Sequence, residues 1–222
     1  MPEAKPEVVS VVEWEREIAS LRSKEKELTR LTDQVNAERR RLPMVKIKKT
    51  YELLGEDGPV SLLDLFEGRQ QLIVYHFMFG PEADAGCPGC SWVTDAMSHP
   101  AHLHARDTSF ALVSRAPLEK LLAFKQRMGW QLPWFSSFGS EFNYDFNATN
   151  DAGENHVASV FIRYGDDIYR TYYTDNRGVE HLGSHWTYLD MTPFGRQEDW
   201  EEVPEGWPKK DKHWTTFHDS YA

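Results

Sequence analysis

The sequence predicts an α/β sandwich of three layers, a mixed central sheet between helices, with a long helix set in front of it. Three observations predict this. The run Gln71–Phe79 is apolar on both faces, as a strand inside a largely parallel sheet must be. A second run of the same kind, Ser109–Ser114, follows after a helical stretch. Further on, Ala158–Tyr164 and Ile168–Thr174 flank the turn Gly165-Asp166-Asp167 and read as an antiparallel hairpin. Strands that alternate with helices and then close in a hairpin belong to the α/β class.

Each element has its own signal. Between Val11 and Arg41, Trp14, Ile18, Leu21, Leu28, Leu31 and Val35 recur at intervals of three and four, with charge on the other faces. This is one helix, either packed on its own domain or reaching a second subunit, and Leu42-Pro43 ends it. Met44–Tyr51 reads as a strand, 55–59 as a turn, and Ser61 as the cap of a short helix over Leu62–Phe66. Cys90 to about Arg106 reads as helical with a break at Pro100. Pro117 opens a helix that runs through Met128 and stops at Gly129. Residues 130–150 look irregular and aromatic-rich. The expected division is an N-terminal helical extension (1–43), an α/β domain (44–198) and a wrapping tail (199–222).

Composition narrows the function. The chain has 222 residues, 40% hydrophobic and 13% aromatic, enough for a packed core. A net charge of −10 argues against nucleic acid and against an anionic membrane surface as partners. No apolar stretch nears the ~20 residues of a membrane span. The first residues lack a basic region followed by an apolar one, so the expectation is a cytoplasmic protein. In that compartment two cysteines are not a structural staple.

Those two cysteines are Cys87 and Cys90, in Cys87-Pro88-Gly89-Cys90, directly after the first buried strand and at the start of a helix. Backbone N–H groups and the dipole at a helix N-terminus stabilise a thiolate, the reactive form of the thiol. A thioredoxin-like core predicts this element order, including a CxxC after its first central strand.

The chain resembles a thioredoxin-like family of uncharacterised, mostly bacterial proteins, a domain of unknown function, provisionally described as dithiol-disulfide oxidoreductases. The similar segments run nearly end to end. They include Glu38-Arg39-Arg40-Arg41-Leu42-Pro43, Tyr75-His76-Phe77-Met78-Phe79-Gly80-Pro81, Gly86-Cys87-Pro88-Gly89-Cys90-Ser91, Arg127-Met128-Gly129-Trp130, Phe142-Asn143-Tyr144-Asp145-Phe146 and Leu189-Asp190-Met191-Thr192-Pro193-Phe194-Gly195-Arg196. The resemblance implies a thioredoxin-like fold with an N-terminal helical extension.

In a redox reading Cys87 is the exposed nucleophile and Cys90 the resolving thiol, acting on a protein or small-molecule thiol or disulfide, with no cofactor. Against it, Glu82, Asp84 and Asp95 lie nearby and would raise a thiol pKa unless the helix terminus or His76 offsets them. The proline that thioredoxins place before the strand facing the CxxC is missing from Asn155-His156-Val157-Ala158-Ser159. A peroxidase is disfavoured, since Asp84 stands where peroxiredoxins carry Thr or Ser. Trp130 and Trp134, in an aromatic belt reaching Phe146, are candidate substrate-binding residues, with Arg115 for an anionic group. The alternatives are a redox-inactive binding protein with an aromatic-lined pocket, or a metal site drawing on His99, His102 and His104. For those histidines solvent-facing or capping roles are the preferred reading, so no metal ligand is assigned. The long helix predicts a homodimer.

Overall fold

The computed structural model describes residues 5–209 and 215–221. Helix α1 (Val11–Arg39) comes first, followed by strand β1 (Val45–Lys46) and the hairpin of β2 (Glu52–Gly55) and β3 (Gly58–Ser61). Next are β4 (Gln71–His76), α2 (Pro88–Asp95), α3 (Ala101–His104), β5 (Thr108–Ser114), α4 (Leu118–Met128), β6 (Trp134–Ser136) and α5 (Phe142–Asp145). The small ribbon β7 (Thr149–Asn150) and β8 (Gly153–Glu154) precedes the hairpin of β9 (Val157–Tyr164) and β10 (Asp167–Asp175). A 3-10 segment (Asn176–Leu182) and α6 (Ser184–Asp190) follow.

The main sheet runs β1-β10-β9-β4-β5-β6-β2-β3. β4, β5 and β6 are mutually parallel, while β9 lies antiparallel on the other side of β4 and β10 antiparallel to β9. Two parallel strands joined by a helical crossover, then an antiparallel pair against the first of them, is the thioredoxin-like core. The apolar run of β4 is explained by its place at the centre. Tyr75 faces one core with Leu112, Phe124 and Trp134, and Leu72 and Val74 face a second with Phe66, Phe142 and Phe161. Helices α2 and α4 cover the first face; a 3-10 turn (Asp64–Phe66) and α5 cover the second.

Several local expectations change. The strand at Met44–Tyr51 is only β1, two residues long and paired to Arg170 and Tyr169. In place of a helix over Leu62–Phe66 there is a 3-10 turn over Asp64–Phe66 with Leu63 as its N-cap; Ser61 lies before it and donates its amide and hydroxyl to the Asp64 carboxylate. The stretch 130–150, expected to be irregular, supplies β6, a three-residue strand between Pro133 and Ser137 that is too short to leave an alternating pattern. The 3-10 segment and α6 after β10 were not anticipated either.

Helix α1 starts at a full capping box, in which Ser10 and Glu13 bond each other's backbone and side chain. None of its residues is buried. Trp14, Leu21, Leu28, Leu31 and Val35 are all exposed, so its apolar stripe does not lie on its own domain. Only its last turn reaches the sheet, where Arg39 stacks 4.7 Å over the Tyr172 ring. No described helix is long and apolar enough to cross a membrane.

Candidate active site

The cysteines are presented by the turn out of β4. After His76 the chain turns back so that the Cys87 amide donates to the Met78 carbonyl at 3.0 Å. Gly86 is required there, because a Cβ would stand 2.6 Å from the Phe77 ring. Cys87 is the N-cap of α2, in extended conformation, and Pro88 fills the first helical position, where no amide hydrogen is needed. The Cys87 carbonyl accepts from the Ser91 amide (2.9 Å) and hydroxyl (3.0 Å), which holds the first turn closed. Cys90 therefore lies one turn inside the helix. It is buried, Cys87 is half-buried, and both are free thiols.

Their surroundings separate the two sulfurs. The Cys87 pKa falls from 9.0 to about 6, chiefly through a hydrogen bond from the Cys90 thiol, with burial opposing it and the amides of Cys90 and Gly89 adding to it. Burial pushes the Cys90 thiol well up, and its bond to Cys87 adds to that; Tyr75 and the Met78 amide pull the other way. The Met78 N–H points at the Cys90 sulfur at 3.5 Å. Tyr75, itself buried, places its hydroxyl on the same sulfur. Glu82, Asp84 and Asp95 are not among the causes of the Cys87 shift. Asp95 is occupied by the Trp130 indole N–H (2.7 Å) and His218 Nδ1 (2.8 Å). His76 has no part in it: its Nε2 pairs with Ser159 Oγ at 3.1 Å and its ring stacks on Phe142, in the second core. Burial, its largest cause, lowers the His76 pKa to about 3.

A cavity of about 480 Å³ opens at Cys87. Tyr75, Gly89, Cys90 and Val93 line it, and His156, the residue before β9, joins them. The rest of its wall comes from the chain after β10, including Val179, Trp186 and Trp200.

The residues expected to bind substrate lie elsewhere. Trp134 is 2% exposed and donates its indole N–H to Ser114 Oγ at 3.0 Å inside the first core. Trp130 packs edge-on against Phe77 and Phe124. Arg115 pairs with Glu154 at 2.8 Å and stacks on Tyr144. None of the three lines the cavity at Cys87, and the belt divides between the two cores instead of enclosing a pocket. Aromatic clustering in sequence cannot distinguish those outcomes, since burial and ligand contact use the same side chains. The residues missed are Tyr75, His156, Trp186 and Trp200. Only Tyr75 and His156 carry a signal, one as an inward position on the strand before the cysteines, the other as part of the proline-free segment Asn155-His156-Val157-Ala158-Ser159.

The metal alternative finds no support in the geometry. His99 and His102 are exposed, and His99 Nδ1 accepts from the Ala101 amide at 3.2 Å. Among the described residues no three His, Cys, Asp or Glu side chains converge.

Fold and cysteine placement thus define a thioredoxin-like protein with a CxxC at the start of its first helix after a central strand. The chain belongs to the family of bacterial proteins of unknown function DUF899, whose family model matches residues 3–221. No curated protein matches it. Among solved structures it is similar to the peroxidoxin BcpB of Mycobacterium tuberculosis, with 14% identity over 60% of this chain and 85% of that one and a TM-score of 0.46. It is also similar to a PrxQ variant of Xylella fastidiosa, with 14% identity over 60% and 84% and a TM-score of 0.42. A third is a provisionally assigned protein disulfide isomerase of Bacteroides thetaiotaomicron, with 18% identity over 64% and 87% and a TM-score of 0.42.

Proposed function

We propose that this protein is a thiol–disulfide oxidoreductase in which Cys87 is the nucleophile and Cys90 the resolving thiol. The observation that carries the reading is the contrast between the two sulfurs. One is a stabilised thiolate at the mouth of a cavity, the other a protonated thiol one turn deeper. The Cys87 thiolate attacks one sulfur of a disulfide, the S–S bond breaks, and the first thiolate leaves. Cys90 then attacks the Cys87 sulfur, its proton passing to the departing thiol, and the second thiol is released as the Cys87–Cys90 disulfide forms. A dithiol reductant returns the pair to the reduced state. Substrate contacts in this reading fall to the cavity at Cys87 and not to Trp130, Trp134 or Arg115.

The test is turnover of a disulfide with dithiothreitol as reductant. Cys87→Ser is expected to abolish it, and Cys90→Ser to trap a mixed disulfide on Cys87 visible as added mass. Full activity in Cys87→Ser sinks the reading.

The same proposal places the protein in the cytoplasm, a compartment that supplies reducing equivalents. It also includes a homodimer joined along α1. A helix of 29 residues is about 43 Å long, with an apolar stripe that the described chain leaves uncovered. Its first turns carry Glu13, Glu15 and Glu17 against the single Arg16, and Arg39 at its end is followed by Arg40 and Arg41, so two copies running antiparallel set opposite net charges together.

A further inference from the structure

We infer that the substrate of this thiol pair is a low-molecular-weight disulfide, and that the chain after β10 is a roof that keeps folded proteins from Cys87. This rests on the oxidoreductase reading and names the substrate class for it.

The roof begins where the thioredoxin-like core ends. The 3-10 segment after β10 brings Val179 and Glu180 over α2, and the following turns add Trp186 and Trp200. Arg196 pins this segment to itself. It is 8% exposed, and its guanidinium reaches both Asp190 oxygens at 2.6 and 2.7 Å and Glu180 Oε2 at 2.8 Å. Its amide donates to Glu201 at 3.2 Å. Arg177 bonds Glu180 at 2.9 Å while stacking 4.0 Å over the Trp200 ring. α6 is fastened to α2 by His185, whose Nε2 meets the Trp92 carbonyl at 2.5 Å.

The space under the roof, with Cys87 at its mouth, suits a small molecule. A cavity of about 480 Å³ falls within the range of small-ligand sites, about 300–1,000 Å³. A protein partner docks on a patch of roughly 800 Å² per side, which the roof denies to the sulfur. At the rim Arg177 pairs with Glu180 and the Glu198 carboxylate accepts from the Trp200 indole, His156 and Asn176 add polar edges, and Val93, Val179 and Trp186 give apolar wall. A disulfide with a neutral, compact body fits those walls.

The experiment is stopped-flow oxidation of the fully reduced protein, followed by tryptophan fluorescence, with 2-hydroxyethyl disulfide and with insulin as oxidants. The expected second-order rate for the small disulfide exceeds that for insulin by roughly 100-fold, the factor for a roof open about 1% of the time. Arg196→Ala, which loosens the roof without touching the cavity, is expected to narrow that ratio mainly by speeding insulin. Equal rates in the wild-type protein overturn the inference and leave the oxidoreductase reading standing. If neither oxidant forms the Cys87–Cys90 disulfide although iodoacetamide reaches Cys87, the oxidoreductase reading itself fails, and this inference with it.

Discussion

Cys87 and Cys90 are three residues apart, yet hydrogen bonds hold one sulfur as a thiolate while burial outweighs the donors at the other and keeps it a thiol. Alkylation of the reduced protein, read by mass spectrometry, is therefore predicted to rise through pH of about 6 at Cys87 and to spare Cys90. A Cys87 midpoint near the free-thiol value of ~8.5 contradicts this. The depressed pKa also links to stability. Above about 9 both folded and unfolded chains carry the thiolate and the stabilisation is complete; it is lost as pH falls from there through about 6. The stability advantage of the reduced wild-type protein over Cys87→Ser should thus grow as pH rises from about 6 to about 9, and a flat difference in urea melts would count against a stabilised thiolate. Tyr75 acts on the second step, as a positioning residue for the Cys90 thiolate. Losing a hydrogen bond to a charged group costs about 1.5 kcal/mol, so Tyr75→Phe should slow release from the mixed disulfide by about tenfold. First attack at Cys87 should keep its rate, a split that mere loosening of the core would not produce. At this scale the cysteine pair was readable because a thiolate site has a local grammar of strand, tight loop and helix start. Trp186 and Trp200 were not, since they reach the cavity at Cys87 through a fold-back of about a hundred residues that no local pattern records.

Among the elements, α1 and β6 mark opposite limits of what periodicity reveals. α1 spans eight turns, and its stripe and end were both legible from spacing and from Leu42-Pro43. β6 has three residues and is defined by its partners β5 and β2 rather than by its own sequence. Spacing could not say what covers the stripe, and the exposed Leu21 and Leu28 pose that question. With antiparallel pairing along α1, Leu21→Glu with Leu28→Glu is predicted to convert a dimer into a monomer in sedimentation velocity at micromolar concentration. Since neither leucine packs on the domain, each change should shift the domain's own stability by no more than about 0.5 kcal/mol. A wild-type monomer under the same conditions overturns the pairing. Gly86 supplies a contrary case, where a single methyl matters. Gly86→Ala drives a Cβ into Phe77 and should cost about 1–3 kcal/mol in urea melts while moving Cys87 off the helix start.

Over the whole molecule, the expected division into core and wrapping tail meets a set of contacts that tie the two together. The end of the chain returns to the outer side of α2 and to α4. Phe217 packs edge-on against Phe124, with Arg127 stacked above it at 4.9 Å. Asp219 takes a bidentate bond from Arg127 at 2.8 and 2.9 Å, and the Tyr221 hydroxyl accepts from the Trp92 indole at 2.7 Å. These are unequal in weight. The Arg127–Asp219 pair is exposed on both sides, where solvent screens it, so Asp219→Asn should barely move a melt. Phe217 is half-buried against the first core, and truncating it removes part of the 3–5 kcal/mol that a fully buried phenylalanine supplies; about 2 kcal/mol is the expected loss. If tail and core form one cooperative unit, Phe217→Ala lowers the urea midpoint of a single transition followed by tryptophan fluorescence. If the tail is an independent appendage, that midpoint stays where it was. The first outcome has a consequence for the site as well. The tail holds Trp92 and Asp95, and the roof holds α2 at the same tryptophan through His185. The helix that sets the Cys87 pKa is then clamped at Trp92 by two segments that lie outside the thioredoxin-like core, and loosening either clamp should raise that pKa toward the free-thiol range.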